Sequence, residues 1–158
     1  MIKFFVRTTG KRILDKSYSQ INYELLIDTN NNSQKAFIQQ LDIIEQQDCV
    51  VLEDDLILCN NFLEKITQII TNNKDEIITF FHLYYYPEYL HEQHFGNLTQ
   101  CIYYPKEKSH LLKETILKNN IDIPSVGRTL TEFYKLTNSY FLLSAPYLVQ
   151  HIDDYSLM

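Results

Sequence analysis

A chain of 158 residues with 45% apolar and 22% charged residues has the composition of a folded globular protein, and its length suits one domain, 1–158, with a substantial core. The net charge of −6 argues against a general nucleic-acid binder, which needs a basic surface to neutralise phosphates, although it leaves room for a local basic groove. Cys49, Cys59 and Cys101 form no CxxC and no zinc-like spacing, the apolar stretch at the N-terminus is short for a signal peptide, and no run reaches the ~18–20 apolar residues of a membrane span, so the expectation is a cytoplasmic protein with reduced thiols and no membrane span.

In chain order, Ile2–Val6 (IKFFV) is a β-type run, broken by Thr8-Thr9-Gly10 and the basic pair Lys11-Arg12. The polar stretch from Arg12 to Gln20 has room for a short helix before a second strand, Tyr23–Ile27, which closes on Asp28 and a polar loop. Ser33 is a candidate cap for a helix in which Phe37, Leu41 and Ile44 recur at helical spacing. Cys49–Leu52 is a fully apolar strand, of the kind buried on both faces of a parallel sheet. Asn61 with Glu64 three residues on predicts a capping box for a helix whose buried stripe is Phe62, Ile66, Ile69 and Ile70. Ile77–Phe81 reads as a fourth strand.

This order of strands and helices is that of an α/β domain with a mainly parallel sheet and flanking helices. The second half is less regular. The Tyr- and His-rich stretch 82–97 reads as a loop, Gln100–Tyr104 as a strand, Leu111–Lys118 as a helix, Ile121–Gly127 as a loop, Leu130–Leu136 as a short helix, and Tyr140–Leu143 as the last strand before Ala145-Pro146.

The chemistry concentrates in Cys49–Glu64. Glu53-Asp54-Asp55 stand between two apolar runs, where each acid must be solvated, be paired or hold a cation. If the strand continues, residues 53 and 55 share a face and 54 takes the other, so two carboxylates can share a hard ion such as Mg²⁺ or Mn²⁺ that keeps positions open for phosphate oxygens. The alternative is a solvated turn after a core strand. In an α/β sheet the carboxyl ends of the strands, where these acids fall, are the usual place for a ligand.

Four apolar residues, Glu-Asp-Asp, more apolar residues and a helix opening at Phe62 resemble the Asp-x-Asp-type motif of glycosyltransferases with the GT-A fold. The LEDD spelling is similar to that of the family 25, lipopolysaccharide-type glycosyltransferases and related bacterial and phage proteins. The ending Ala145-Pro146-Tyr147-Leu148-Val149-Gln150-His151, with Ser156 beyond it, resembles the ending of the same enzymes, although Asp153 stands where they usually have Gly.

The resemblance implies a GT-A-like (Rossmann-like) fold and a metal-dependent transfer of sugar from a nucleotide-sugar donor to an acceptor hydroxyl on a glycan or other acceptor, with nucleic acid not favoured. It implies Asp55 as the ligand of Mn²⁺ (or Mg²⁺), Glu53 or Asp54 assisting through metal or ribose, and His151 as a further ligand; an imidazole beside carboxylates suits Mn²⁺. It also implies that the turn after the first strand lodges nucleotide, with Thr8 and Arg12 as contacts and Asp28 near the base. A polar turn with solvated charges is the competing reading, and the phosphate-loop spacing GxxxxGK[ST] is absent.

An inverting transfer needs a general base, for which Glu132, with Asp122 nearby, is the candidate; an ordinary exposed helix acid is its alternative. His91-Glu92-Gln93-His94 does not meet the H-E-x-x-H spacing and reads as exposed. Tyr84, Tyr85, Tyr86 and Tyr89 either stack on a sugar or pack a loop onto the sheet. A non-catalytic GT-A-like binding module, such as a phage accessory protein, is the alternative function.

Overall fold

A computed structural model describes residues 2–28, 33–81, 90–93, 99–121, 125–144 and 147–152. Its strands are β1 (Lys3–Thr8), β2 (Tyr23–Ile27), β3 (Cys49–Glu53), β4 (Leu56–Leu58), β5 (Ile78–Thr79), β6 (Leu90–Gln93), β7 (Cys101–Tyr104), β8 (Phe141–Ser144) and β9 (Val149–His151). Its α-helices are α1 (Ser33–Ile44), α2 (Phe62–Asn72), α3 (Lys106–Asn119) and α4 (Val126–Thr137), with a 3-10 helix at Lys16–Gln20 between β1 and β2.

Among the described residues the main sheet has seven strands in the order β2-β1-β3-β7-β5-β8-β6, and β4 pairs with β9 in a separate two-stranded ladder. Strands β2, β1 and β3 are parallel neighbours, as are β5 and β8, whereas β7 runs antiparallel between β3 and β5, and β6 antiparallel to β8. Five of the seven strands therefore point the same way, which makes this a mainly parallel, Rossmann-like α/β sheet.

Alternation along β1 and β3 splits the core in two. Phe4, Val6, Val50 and Leu52 face α2 (Phe62, Ile66, Ile70) and the β4–β9 ladder. Phe5, Cys49 and Val51 face α1 (Phe37, Leu41, Ile44), α3 and α4. Each fully buried Phe, Leu or Ile on these faces contributes about 1.5–3 kcal/mol relative to leaving it in water.

Several elements differ from the sequence reading. The stretch 82–97 is not all loop: Leu90–Gln93 pairs with β8, a polar edge strand whose partner lies about fifty residues on, so no alternation of its own announces it. Helix α3 begins at Lys106 rather than Leu111, because its first turns (KEKSH) turn charges to solvent and hide the helical period. Helix α4 begins at Val126, inside the expected loop 121–127, where the Ser125 hydroxyl accepts from the Arg128 N–H. Strand β5 is only Ile78–Thr79, although single backbone bonds carry the pairing outward at both ends, Leu142 N to Ile77 O (2.8 Å) and Phe80 N to Cys101 O (2.9 Å).

The Asn61 capping box does not form. Asn61 sits in the left-handed region at φ 58° and makes no side-chain cap. Gln20 does that work instead: its Oε1 accepts from the Phe62 N–H (3.1 Å) and its Nε2 donates to the Cys59 carbonyl (3.1 Å), so the first orphan donor of α2 is satisfied from the 3-10 helix. The tyrosines 84–86 and 89, His94, Asp122, Asp153 and Ser156 lie outside the described residues. No helix among the described residues is long and apolar enough to cross a membrane.

Candidate metal centre

The acids stand where the strand-end argument puts them. Strand β3 ends at Glu53; Asp54-Asp55 make the turn into β4, and the antiparallel β4–β9 ladder sets His151 opposite Leu56. The Ile152 N–H donates to the Asp55 carbonyl at 2.8 Å, which ties the last strand to the turn. Glu53, Asp55 and His151 thereby converge, with one ligand atom from each lying within 4.8 Å of the others.

A single ion with bonds of about 2.0–2.3 Å spans donors up to about 4.5 Å apart, so these three fit one ion after a closure of a few tenths of an ångström. The donor chemistry, two carboxylates and an imidazole, fits Mn²⁺. One atom marks the site: Asp55 Oδ1 is buried and has no hydrogen-bond partner among the described residues, although a buried carboxylate oxygen ordinarily finds one. The three acids do not act alike: Asp54 is not part of the converging group, and its Oδ2 accepts from the Thr8 hydroxyl in a buried bond.

Basic side chains hold the same carboxylates. Arg7, in register with Glu53 across the parallel β1–β3 pair, bonds to Glu53 Oε1, and the Thr99 hydroxyl approaches that oxygen at 3.5 Å. Arg12 Nη1 bonds to Asp55 Oδ2 and stands 3.6 Å from Asp54 Oδ1, and His151 Nε2 meets Asp55 Oδ2 at 3.1 Å. The backbone brings Arg12 there through a tight turn: Gly10 takes φ 75°, a conformation that costs a residue with a Cβ, and its N–H donates to Thr8 Oγ1 at 2.9 Å.

The 3-10 helix then clamps the acid segment from below. Asp15 caps it by accepting from the Ser17 N–H (2.8 Å), the Ser17 hydroxyl accepts from the Leu58 N–H (2.9 Å), and the Tyr18 phenol donates to the Glu53 carbonyl. Burial pushes the Tyr18 phenol far up, with Asp55 and Asp54 adding to the shift, so it stays a proton donor throughout the neutral range.

Beside this centre, a cleft of about 390 Å³ opens between β2 and α1, lined by Arg7, Leu26, Ile27, Asp28, Gln39 and Gln40 among others. That is the size of a small-molecule site. Arg7 belongs to both cleft and centre, and the Asp28 N–H donates to the Thr8 carbonyl (2.9 Å), so cleft and acids share the end of β1.

Of the residues singled out in the sequence, Glu53, Asp55 and His151 come together, Asp54, Thr8 and Arg12 surround them, and Asp28 lines the cleft. Glu132 is not among the residues brought together: it is half exposed on α4 and pairs with Lys135 at 2.8 Å. Arg7 and Tyr18 escaped the sequence reading. Parallel pairing of β1 with β3 would have pointed to Arg7, which falls opposite Glu53; nothing in the pattern of Lys16–Gln20 points to Tyr18.

No protein-family model matches the sequence, and no curated protein matches it. Among solved structures the chain is similar to A197 from STIV, with a TM-score of 0.61 and 15% identity over 96% of this chain and 85% of that one. That likeness shows a shared fold and nothing further.

Proposed function

We propose that the chain is a metal-dependent glycosyltransferase that moves a sugar from a nucleotide-sugar donor to an acceptor hydroxyl. The observation that carries this reading is the convergence of Glu53, Asp55 and His151 at the carboxyl end of the sheet, with the buried Oδ1 of Asp55 left without a partner among the described residues. Glu53, Asp55 and His151 would hold Mn²⁺, which would supply positive charge to the leaving diphosphate.

The chain's own residues do the rest. Asp55 and His151 are fixed relative to one another by the β4–β9 ladder, so they present their donors without further ordering. Thr8 holds Asp54 through its hydroxyl, and the phenol of Tyr18 pins the Glu53 carbonyl. The cleft behind Arg7 is sized for the nucleoside half of a donor, with Asp28 at its edge. Glu132 is not assigned the part of general base.

One observation favours a second reading, a non-catalytic GT-A-like module that binds the same ligand. All three carboxylates already have a basic or hydroxyl partner, as a purely structural cluster would.

Melting temperatures measured with UDP-, GDP-, CMP- and TDP-sugars, with and without Mn²⁺, test both. Metal-dependent stabilisation by one donor, abolished in Asp55→Ala, is the expected result. The absence of a shift with every donor would overturn the proposal, and a shift without sugar transfer or donor hydrolysis would select the binding module.

A further inference from the structure

We propose that Arg12 is the exchangeable counter-ion of this centre: it neutralises Asp55 while no divalent cation is bound and transfers to the ligand's diphosphate when one is, so that cation and diphosphate each strengthen the binding of the other. The proposal rests on the reading of Glu53, Asp55 and His151 as metal ligands.

Three features of the cluster carry it. The first is the balance of charge. Among the described residues three carboxylates face two guanidinium groups and the His151 ring, so the cluster carries little net charge, and a dication added beside both arginines would bring an excess of positive charge into a part-buried site.

The second is the division of Asp55 between its two oxygens. Oδ2 takes both the Arg12 bond and the His151 contact, while Oδ1 is buried and has no hydrogen-bond partner among the described residues. Arg12 and His151 therefore share one oxygen of Asp55 and leave the other to a cation. A cation and a guanidinium on one carboxylate repel each other, so occupancy of Asp55 by metal loosens Arg12.

The third is the contrast between the two arginines. Arg7 is 25% exposed and is lodged in register across from Glu53, whereas Arg12 is 47% exposed and reaches its acids from beyond the Gly10 turn. Arg12 is the one placed to move. Its planar donors suit a diphosphate at least as well as the single-nitrogen bond it makes to Asp55.

The test measures Mn²⁺ binding by calorimetry and by loss of the free-ion electron paramagnetic resonance signal, in the wild type, Arg12→Gln and Arg12→Lys. Pyrophosphate is the anion probe, with free Mn²⁺ corrected for the complex it forms with pyrophosphate. With metal alone, Arg12→Gln binds Mn²⁺ about tenfold more tightly than the wild type, because no cation has to be displaced, and Arg12→Lys stays near the wild type. Pyrophosphate tightens Mn²⁺ binding to the wild type by a similar factor and does so far less in Arg12→Gln.

Equal or weaker Mn²⁺ binding in Arg12→Gln overturns the exchange while leaving the metal centre standing. So does an equal effect of pyrophosphate on the wild type and Arg12→Gln. Absence of Mn²⁺ binding in all three proteins overturns the metal centre and the exchange together. Melting temperature supplies a separate check on folding: Arg12→Gln melts below the wild type without metal and gains more from Mn²⁺, and a gain no larger than the wild type's counts against the exchange.

Discussion

Two of the charge clusters on this molecule each combine three acids with a histidine and lysine or arginine, and they differ in consequence. Between α1 and α3, Lys113 bridges Asp42 (2.8 Å) and Glu45, and His110 spans Glu45 (3.3 Å) and Glu114 (3.5 Å). Three acids there share two bases across the helix surfaces, and none of their carboxylate oxygens is buried without a partner among the described residues. At the end of β3, three consecutive acids share two arginines and a histidine in a part-buried pocket, and one buried carboxylate oxygen has no hydrogen-bond partner among the described residues. The first arrangement fastens two helices. The second holds a buried oxygen that a cation would satisfy. Counting ion pairs would not separate them; the buried Oδ1 does.

Breaking the β3 cluster gives the largest effect. His151→Gln keeps a polar side chain on β9 but removes the imidazole, and Mn²⁺ affinity is expected to fall by about 100-fold, roughly 2.7 kcal/mol, as read by calorimetry at constant pH. An unchanged affinity would take His151 out of the ligand set.

Thr8→Val comes next. It keeps the side-chain shape and the β1 strand but withdraws the buried hydroxyl from Asp54, at an expected cost of about 1–3 kcal/mol in urea unfolding, since a buried carboxylate loses a donor. A loss well below that range would mean that Asp54 finds water or Arg12 in its place.

The helix clamp gives the smallest effect and the clearest dependence on pH. Lys113, with His110 assisting, holds the Glu45 carboxyl below its ordinary range, and Asp42 with Glu45 raises Lys113. A carboxyl whose folded value is lowered adds stability above its unfolded value and loses it as the pH falls through the folded one. Glu45→Gln should therefore melt slightly below the wild type at neutral pH, with the gap closing between about pH 5 and pH 3. The Lys113 contribution has the opposite sign: it is present below the unfolded lysine value and fades in strong alkali. A gap that persists in acid would assign Glu45 a packing role instead.

How much of this was legible in the sequence divides along physical lines. Apolar runs announced β1, β2 and β3, and the helical spacing of Phe37, Leu41 and Ile44 and of Phe62, Ile66 and Ile70 announced α1 and α2, since burial on one face is what periodicity records. Strand direction left no such trace, so the antiparallel intrusion of β7 between β3 and β5 was invisible. Polar edges were equally silent, as the misread Leu90–Gln93 and the first turns of α3 show.

At the candidate site the acids were legible because each is costly where it stands, and His151 through the resemblance of the stretch 145–151 to a family ending. Their partners were not. Arg7 and Arg12 meet acids more than forty positions away, and the cap on α2 comes from Gln20 rather than the adjacent Asn61. A local motif cannot report a partner that the fold supplies.

The β4–β9 ladder has a consequence in time as well as in space. Asp55 and His151 are neighbours only through a pairing between distant parts of the chain, so during synthesis the acids exist long before their histidine does. Closing so long a loop belongs to the slow class of folding events. Until residues 149–151 have docked, the acid turn has the arginines, Thr8 and Tyr18 beside it but lacks its histidine. If the proposed metal centre holds, its affinity would be acquired late, as the last strand locks in.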